Sequence, residues 1–333
     1  MDCPTTSAAS QVNRCRTVAF LGLHDAGVLG SVAKQSGART LGLASEKAMG
    51  WDEVNPLVPF RQEEAERGLQ GASALVLGLP VPLPRAAMTQ ETARDAQAFA
   101  VDGLMAAAQV LGIRHVAVVA PERPSAGPSI LDEVGRIVRA YGVDVLEVAE
   151  GNADLVRAAA VRWLGRCGSQ GDTRPPMLRP QDLIGRKPYK GRDMRSLQRL
   201  SVPKGWDAAR LALAYPTWLG ATFPWLLRTE IGDDGSFLIR SSLTGTALLH
   251  LRAIPRSHGA RRRVFSVAGG ALAGEREGEG WLEFRVLPGG KEAIAAVGDF
   301  VPRMPWPLYR GTQGPAHQRV MAGFARYLRN TAT

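Results

Sequence analysis

The chain is poor in cysteine and has no long apolar run. Three cysteines, Cys3, Cys15 and Cys167, stand among 333 residues. An odd number at long spacings supplies neither a disulfide framework, a zinc knuckle nor a redox Cys-x-x-Cys pair, so no metal site is expected. No apolar run reaches the ~18 residues that a membrane-spanning helix needs. The first residues, up to Thr17, are polar and lack the apolar core of a secretory leader, which makes the cytoplasm the expected compartment. Acidic charge is scarce in the second half. Residues 166–333 hold 26 Lys and Arg against 13 Asp and Glu, while residues 1–165 hold 15 against 18. The swing places a boundary near Gly165. It also makes the second half attractive to anions, either an acidic small molecule or an anionic membrane surface. Nucleic acid fits poorly: the basic tract of His258 and Arg261-Arg-Arg263 is short and carries no interleaved aromatic residues for stacking on bases.

What is present divides into two domains, over 17–165 and 196–330. In the first, short apolar runs alternate with helical patterns. Strands are expected at 17–22, 40–44, 73–78, 115–120 and 143–148. Helices are expected at 28–36, 96–111, 130–141 and 155–164. The clearest helix carries Ala96, Phe99, Ala100, Gly103, Leu104, Ala107, Val110 and Leu111 as one stripe at the helical period. Strands separated by helices of this length pair in parallel, which gives an α/β parallel-sheet, Rossmann-like domain. Ligands of such sheets sit beyond the carboxyl ends of the strands. There the segment Gly22-Leu-His-Asp-Ala-Gly27-Val-Leu-Gly30 closes the first strand and opens the first helix, where backbone amides meet a pyrophosphate. Its spacing is GxxxxGxxG, with His24 and Asp25 where a phosphate usually meets small residues. Glu46 is placed to accept hydrogen bonds from a ribose, and Gly78 and Pro80 close the third strand at the same edge.

The segment from Glu133 through Tyr141-Gly142 to Val148, then Gly151-Asn-Ala-Asp-Leu-Val-Arg157, together with 96–120, resembles the atypical short-chain dehydrogenase/reductase family, of the NAD(P)H-binding, nucleoside-diphosphate-sugar-epimerase-like kind. That resemblance implies a bound NADP or NAD. The family's proton relay is a Tyr-x-x-x-Lys pair, and this half departs from it: Tyr141 is followed by Gly142-Val-Asp-Val145. Residues 107–120 also look like half of an aspartate/glutamate racemase, but no cysteine lies at a strand end to move the proton.

Residues 166–195 are rich in Gly, Pro, Arg and Lys and read as a linker. Beyond it come a strand at 197–202, a helix at 206–219 with Leu211, Tyr215 and Trp218 on one side, and strands at 226–231, 236–243, 247–254, 263–269, 280–287 and 292–300. A helix from Pro307 to Asn330 closes the chain. Closely spaced strands without helices between them form an antiparallel sheet. This order, with Gly280-Trp-Leu-Glu-Phe-Arg-Val286, Asp299-Phe-Val-Pro-Arg303 and Trp306-Pro-Leu-Tyr309, resembles the SRPBCC/START-like superfamily, an α+β helix-grip domain. The resemblance implies an apolar cavity beneath the terminal helix. Amphipathic rings suit such a pocket, which nominates Trp218, Phe223, Trp225, Trp281, Phe284, Trp306 and Tyr309, with His317 as a polar contact. Three functions follow as expectations: an NAD(P)-dependent reductase or epimerase, a non-catalytic sensor or carrier of an apolar molecule, and a basic membrane- or partner-binding protein.

Overall fold

The computed structural model describes residues 17–22, 27–43, 51–55, 60–84, 86–120, 128–149, 153–167, 193–255, 259–274 and 280–331. The chain forms two units. One comprises Met1–Pro84 and Ala100–Pro180, the other Arg85–Phe99 and Gln181–Thr333. The second unit thus takes in residues 85–99, which the sequence reading groups with the first half.

The first unit is built from β1 (Thr17–Leu21), α1 (Gly27–Gln35), β2 (Arg39–Leu43), β3 (Glu53–Asn55), α2 (Gln62–Gly68) and β4 (Ala74–Gly78). After β5 (Met88–Gln90), which belongs to the second unit, come α3 (Ala93–Val110), β6 (His115–Ala120), α4 (Pro128–Ala140), β7 (Asp144–Ala149) and α5 (Ala153–Cys167). The division between the units falls within α3. Six strands pair in the order β3-β2-β1-β4-β6-β7, and every pair is parallel. Counted along the sheet this is the doubly wound order 3-2-1-4-5-6 of a Rossmann-like fold.

The strands read as apolar runs because both faces are covered. Val18, Phe20, Val76, Ala117 and Val119 pack with α1 and with Trp163 and Leu164 of α5. The alternate residues Ala19, Leu21, Leu75, Leu77 and Val116 are equally buried. Each Val or Leu so covered contributes about 1.5–3 kcal/mol. The three-residue β3 and the charged α2, Gln62-Glu-Glu-Ala-Glu-Arg-Gly68, carry too little periodic signal to be read beforehand.

The second unit adds to β5 the strand β8 (Met194–Ser201), α6 (Ala208–Thr222), β9 (Leu227–Ile231), β10 (Phe237–Ser241), β11 (Ala247–Ala253), β12 (Arg262–Gly269), β13 (Trp281–Val286), β14 (Glu292–Phe300), α7 (Trp306–Gly311) and α8 (Gln313–Thr331). Its eight strands run in the order β5-β8-β14-β13-β12-β11-β10-β9. All pairs are antiparallel except β5 with β8. Asp207 caps α6 by accepting a hydrogen bond from the Arg210 backbone N–H at 2.8 Å. The expected single terminal helix is broken at Thr312, where φ is −124° and ψ is −74°. Pro315 follows in the first turn of α8, where its missing N–H costs little, and that position suits a new helix start better than a continuous helix.

One face of this sheet carries the core. Leu211, Leu219, Met321, Phe324 and Leu328 from α6 and α8 pack with Phe237, Leu251, Phe284 and Ala295 from the strands. The other face of β13 is charged yet covered. Glu283 and Arg285 are 1% and 2% exposed. Glu283 accepts from Arg262 Nε at 3.0 Å and from Arg285 Nε at 2.5 Å. The Arg285 guanidinium lies 3.9 Å from the Phe99 ring centroid and donates to the Phe99 carbonyl at 2.9 Å. Further along, Glu91 binds Arg195 through two hydrogen bonds, and Asp95 accepts from Arg199 at 2.6 Å. Residues 91–99 therefore cover the sheet surface from which Arg285 projects.

Candidate functional site

Two places in the structure have the shape of a site. The first is the carboxyl edge of the parallel sheet. Gly22 leaves β1 with φ of +83°, which favours glycine. A Cβ there would stand 2.3 Å from the Gly78 carbonyl oxygen. Gly22 is thus required by the close approach of the β1 and β4 exits, whatever else lies near. Gly78 ends β4, and Pro80 follows through a cis Leu79–Pro80 bond. Gly27 is the first residue of α1 and Gly30 lies within it. His24, Asp25 and Glu46 lie outside the described residues, as does His258.

Several polar groups elsewhere in this unit are paired, although His115 Nε2 and Trp163 Nε1 are buried without a hydrogen-bond partner among the described residues. Tyr141 donates to Asp102 Oδ1 at 2.9 Å, a bond that ties the end of α4 to α3. His115 and Asp144 meet at 3.1 Å at the amino-terminal edge of the sheet, and Arg166 donates to Asp144 at 2.8 Å and 3.1 Å. The Arg166 hydrogen bonds hold the Asp144 carboxyl below its usual range. Trp51, which the sequence reading passed over, stacks on Phe20 at 4.7 Å and covers Gly42.

The second place is a cavity of about 350 Å³ between the antiparallel sheet and α6, α7 and α8. Leu, Ile, Val, Met and aromatic side chains dominate its wall. None of the described lining residues is Asp, Glu, Lys or Arg. Five lining residues carry polar side-chain atoms: Tyr215, Trp281, Tyr309, Gln313 and His317. Two of these have protein partners. Trp281 Nε1 donates to Asp299 at 2.7 Å, and Asp299 reaches it from a left-handed backbone with φ of 56°. The Tyr309 hydroxyl donates to Met194 Sδ.

The other three do not. Tyr215 is 8% exposed, and its hydroxyl has no hydrogen-bond partner among the described residues. Burial pushes it up to about 12. The Gln313 side-chain oxygen is buried without a partner. His317 lies four residues further along α8, on the same face. Burial pushes its imidazole down to about 4, so it is neutral at physiological pH.

The structure distributes the nominated aromatic residues as follows. Trp281, Tyr309 and His317 line the cavity. Phe284 is fully buried in the core, against which Trp218 and Phe223 pack from the side. Trp225 is 67% exposed, although its neighbour Leu226 lines the cavity. Trp306 stacks on Tyr309 and lines a separate depression formed by residues 301–307. Of the basic tract, Arg262 is bound to Glu283, and Arg261 Nε donates to the Val286 carbonyl at 3.1 Å. Tyr215 and Gln313 were not nominated. Tyr215 shares a helix face with Leu211 and Leu219, four residues to either side, which is the signal for burial. Gln313 stands one turn before His317, the same signal in the terminal helix.

These features define a class: a Rossmann-like α/β unit joined in one chain to a mixed, mainly antiparallel sheet unit that holds an apolar cavity. No family model matches the chain. It is similar to the auxiliary protein GraX of Staphylococcus aureus, 24% identical over 133 residues, which is 40% of this chain and 42% of that protein. The chain thus spans about two fifths of the length of the curated relative it matches. Among solved structures it is similar to a Rossmann-fold NAD(P)-binding family protein from Shigella flexneri, 13% identical, covering 40% of this chain and 66% of that one at a TM-score of 0.29. A nucleoside-diphosphate-sugar epimerase from Staphylococcus aureus is 16% identical and covers 40% of this chain and 50% of its own, with a TM-score of 0.29. The structure of Ara h 8.0201 is 13% identical, covering 41% of this chain and 99% of that one, again at 0.29. Among the described residues no helix is long and apolar enough to cross a membrane, and no group of three or more His, Cys, Asp or Glu could hold a metal ion.

Proposed function

We propose that this protein binds an apolar small molecule in the cavity of its second unit, which we read as a helix-grip domain of the SRPBCC/START-like kind. One observation carries the reading. A space of about 350 Å³ is lined by apolar side chains with a few polar groups among them. Sites for small molecules have this size and lining. Nile red fluorescence, titrated with the full chain, tests it. Wild type is expected to bind the dye saturably, and Ala295→Phe, which places a ring at a buried position in the cavity wall, is expected to lose binding while still melting cooperatively. No saturable binding by wild type, or undiminished binding by a folded variant, would contradict the reading.

A second reading, an NAD(P)-dependent reductase or epimerase, is favoured by the strand order of the first unit and by α1 opening at Gly27 directly after β1. The residues present fit a dinucleotide in part. The first backbone N–H groups of α1 suit a diphosphate, and Gly27 and Gly30 would hold it. The freedom of Gly22 is already required by the Gly78 carbonyl, and the one tyrosine of this unit is bonded to Asp102. Binding without catalysis is accordingly the better supported role for the first unit. Titration with NADPH and NADH, with Gly27→Asp as control, decides it: submillimolar binding lost in the variant supports a cofactor site, and no binding by wild type removes it.

A further inference from the structure

We infer that the cavity takes an uncharged apolar molecule bearing a hydroxyl group, and that it rejects carboxylates. The inference rests on the reading of the cavity as a ligand site and names the chemistry that site selects. A buried polar group without a partner costs free energy, and a well-packed protein leaves few of them. Three polar groups on the wall of one cavity make no hydrogen bond among the described residues: the Tyr215 hydroxyl, the buried Gln313 oxygen and the half-buried His317 imidazole. The first unit, by contrast, pairs its own tyrosine with Asp102.

The residue types decide what would satisfy them. The Gln313 oxygen only accepts, so the ligand must donate. A tyrosine hydroxyl and a neutral imidazole each donate and accept, so the ligand is served by both functions at one atom. A hydroxyl has both. A ketone or ether cannot donate to Gln313. A carboxylate cannot either, and it would carry its charge into a wall that offers no Lys or Arg among the described residues. His317 does not change this balance, because burial disfavours its protonated form.

Calorimetric titration of the full chain with naphthalene, 2-naphthol and 2-naphthoate at neutral pH tests the inference. These share one apolar frame and differ in the polar group. The naphthol is expected to bind about tenfold more tightly than naphthalene, the order that one or two net hydrogen bonds give, and the naphthoate to bind more weakly than either. Tyr215→Phe and, separately, Gln313→Leu are expected to narrow the gap between naphthol and naphthalene, read as the ratio of the two affinities within each variant. A naphthoate that binds as tightly as the naphthol, or a gap that survives both substitutions, overturns the inference. Equal binding of naphthalene and naphthol overturns it too, yet leaves the cavity standing as an apolar site. If none of the three binds and Nile red does not either, the cavity reading falls with it.

Discussion

Two tyrosines, Tyr141 just after α4 in the first unit and Tyr215 in α6 of the second, are both largely covered by protein, but their surroundings are opposite. Tyr141 donates to a carboxylate and a carbonyl of Asp102. Tyr215 faces a cavity and donates to nothing among the described residues. For histidine the contrast is partial: His115 meets Asp144 through one ring nitrogen at 3.1 Å and leaves the other buried without a partner, whereas His317, on the cavity wall, makes no hydrogen bond among the described residues. A paired polar group explains itself by the stability it gives. An unpaired one in a cavity lowers stability, and a ligand is the simplest thing that would offset the cost. The parallel sheet is filled on both faces, whereas the helix-covered face of the antiparallel sheet is filled in part and hollow in part.

That comparison can be broken in several ways. The largest effect is expected where the second unit does pair its buried charges. Glu283→Ala removes the carboxylate shared by Arg262 and Arg285, and should cost about 3–5 kcal/mol in chemical denaturation. A loss below ~1 kcal/mol would mean that the network behaves like an exposed ion pair.

Next comes the pH dependence of stability from His317. Its ordinary value is 6.5 and its folded value is about 4. Between these limits the unfolded chain binds more protons than the folded one, so stability should be complete above pH 6.5 and fall as the pH drops towards 4. The loss should reach about 3 kcal/mol at most. His317→Gln should flatten this part of the profile, and an unchanged slope would place the histidine in water. Smaller still is Tyr141→Phe, which removes one engaged hydroxyl and should cost about 1 kcal/mol. Tyr215→Phe is expected to change the stability of the ligand-free protein hardly at all, or to raise it slightly, because no bond is lost.

Much of the architecture was legible before any coordinates. The strands β9 to β14 each fall within about two residues of the reading, the usual margin for element ends, because Gly232-Asp-Asp-Gly235 and Gly289-Gly290 punctuate them and their apolar residues alternate. The parallel strands were legible for a different reason: Ala74-Leu-Val-Leu-Gly78 and His115-Val-Ala-Val-Val-Ala120 are short continuous apolar runs closed by Gly or Pro. β5 was not, since Met88-Thr-Gln90 is three residues long and gains its place only by pairing with β8, more than a hundred residues away. The cavity wall was legible in part. Aromatic content points to a pocket-bearing half, but not to the direction of a ring. Trp281 and Trp225 look alike in sequence, yet one lines the cavity and the other stands exposed. Which polar groups lack partners depends on the whole tertiary arrangement. Gln313 is an ordinary helix residue until its oxygen is seen to be buried and unbonded.

The most direct measurement is a thermal melt of wild type, Tyr141→Phe and Tyr215→Phe, each titrated with 2-naphthol. If the cavity's unpaired groups serve a ligand, Tyr141→Phe melts lower but keeps the full ligand-induced rise, while Tyr215→Phe melts like wild type and loses much of that rise. An equal rise in all three proteins, or a rise lost in Tyr141→Phe and kept in Tyr215→Phe, would contradict the account.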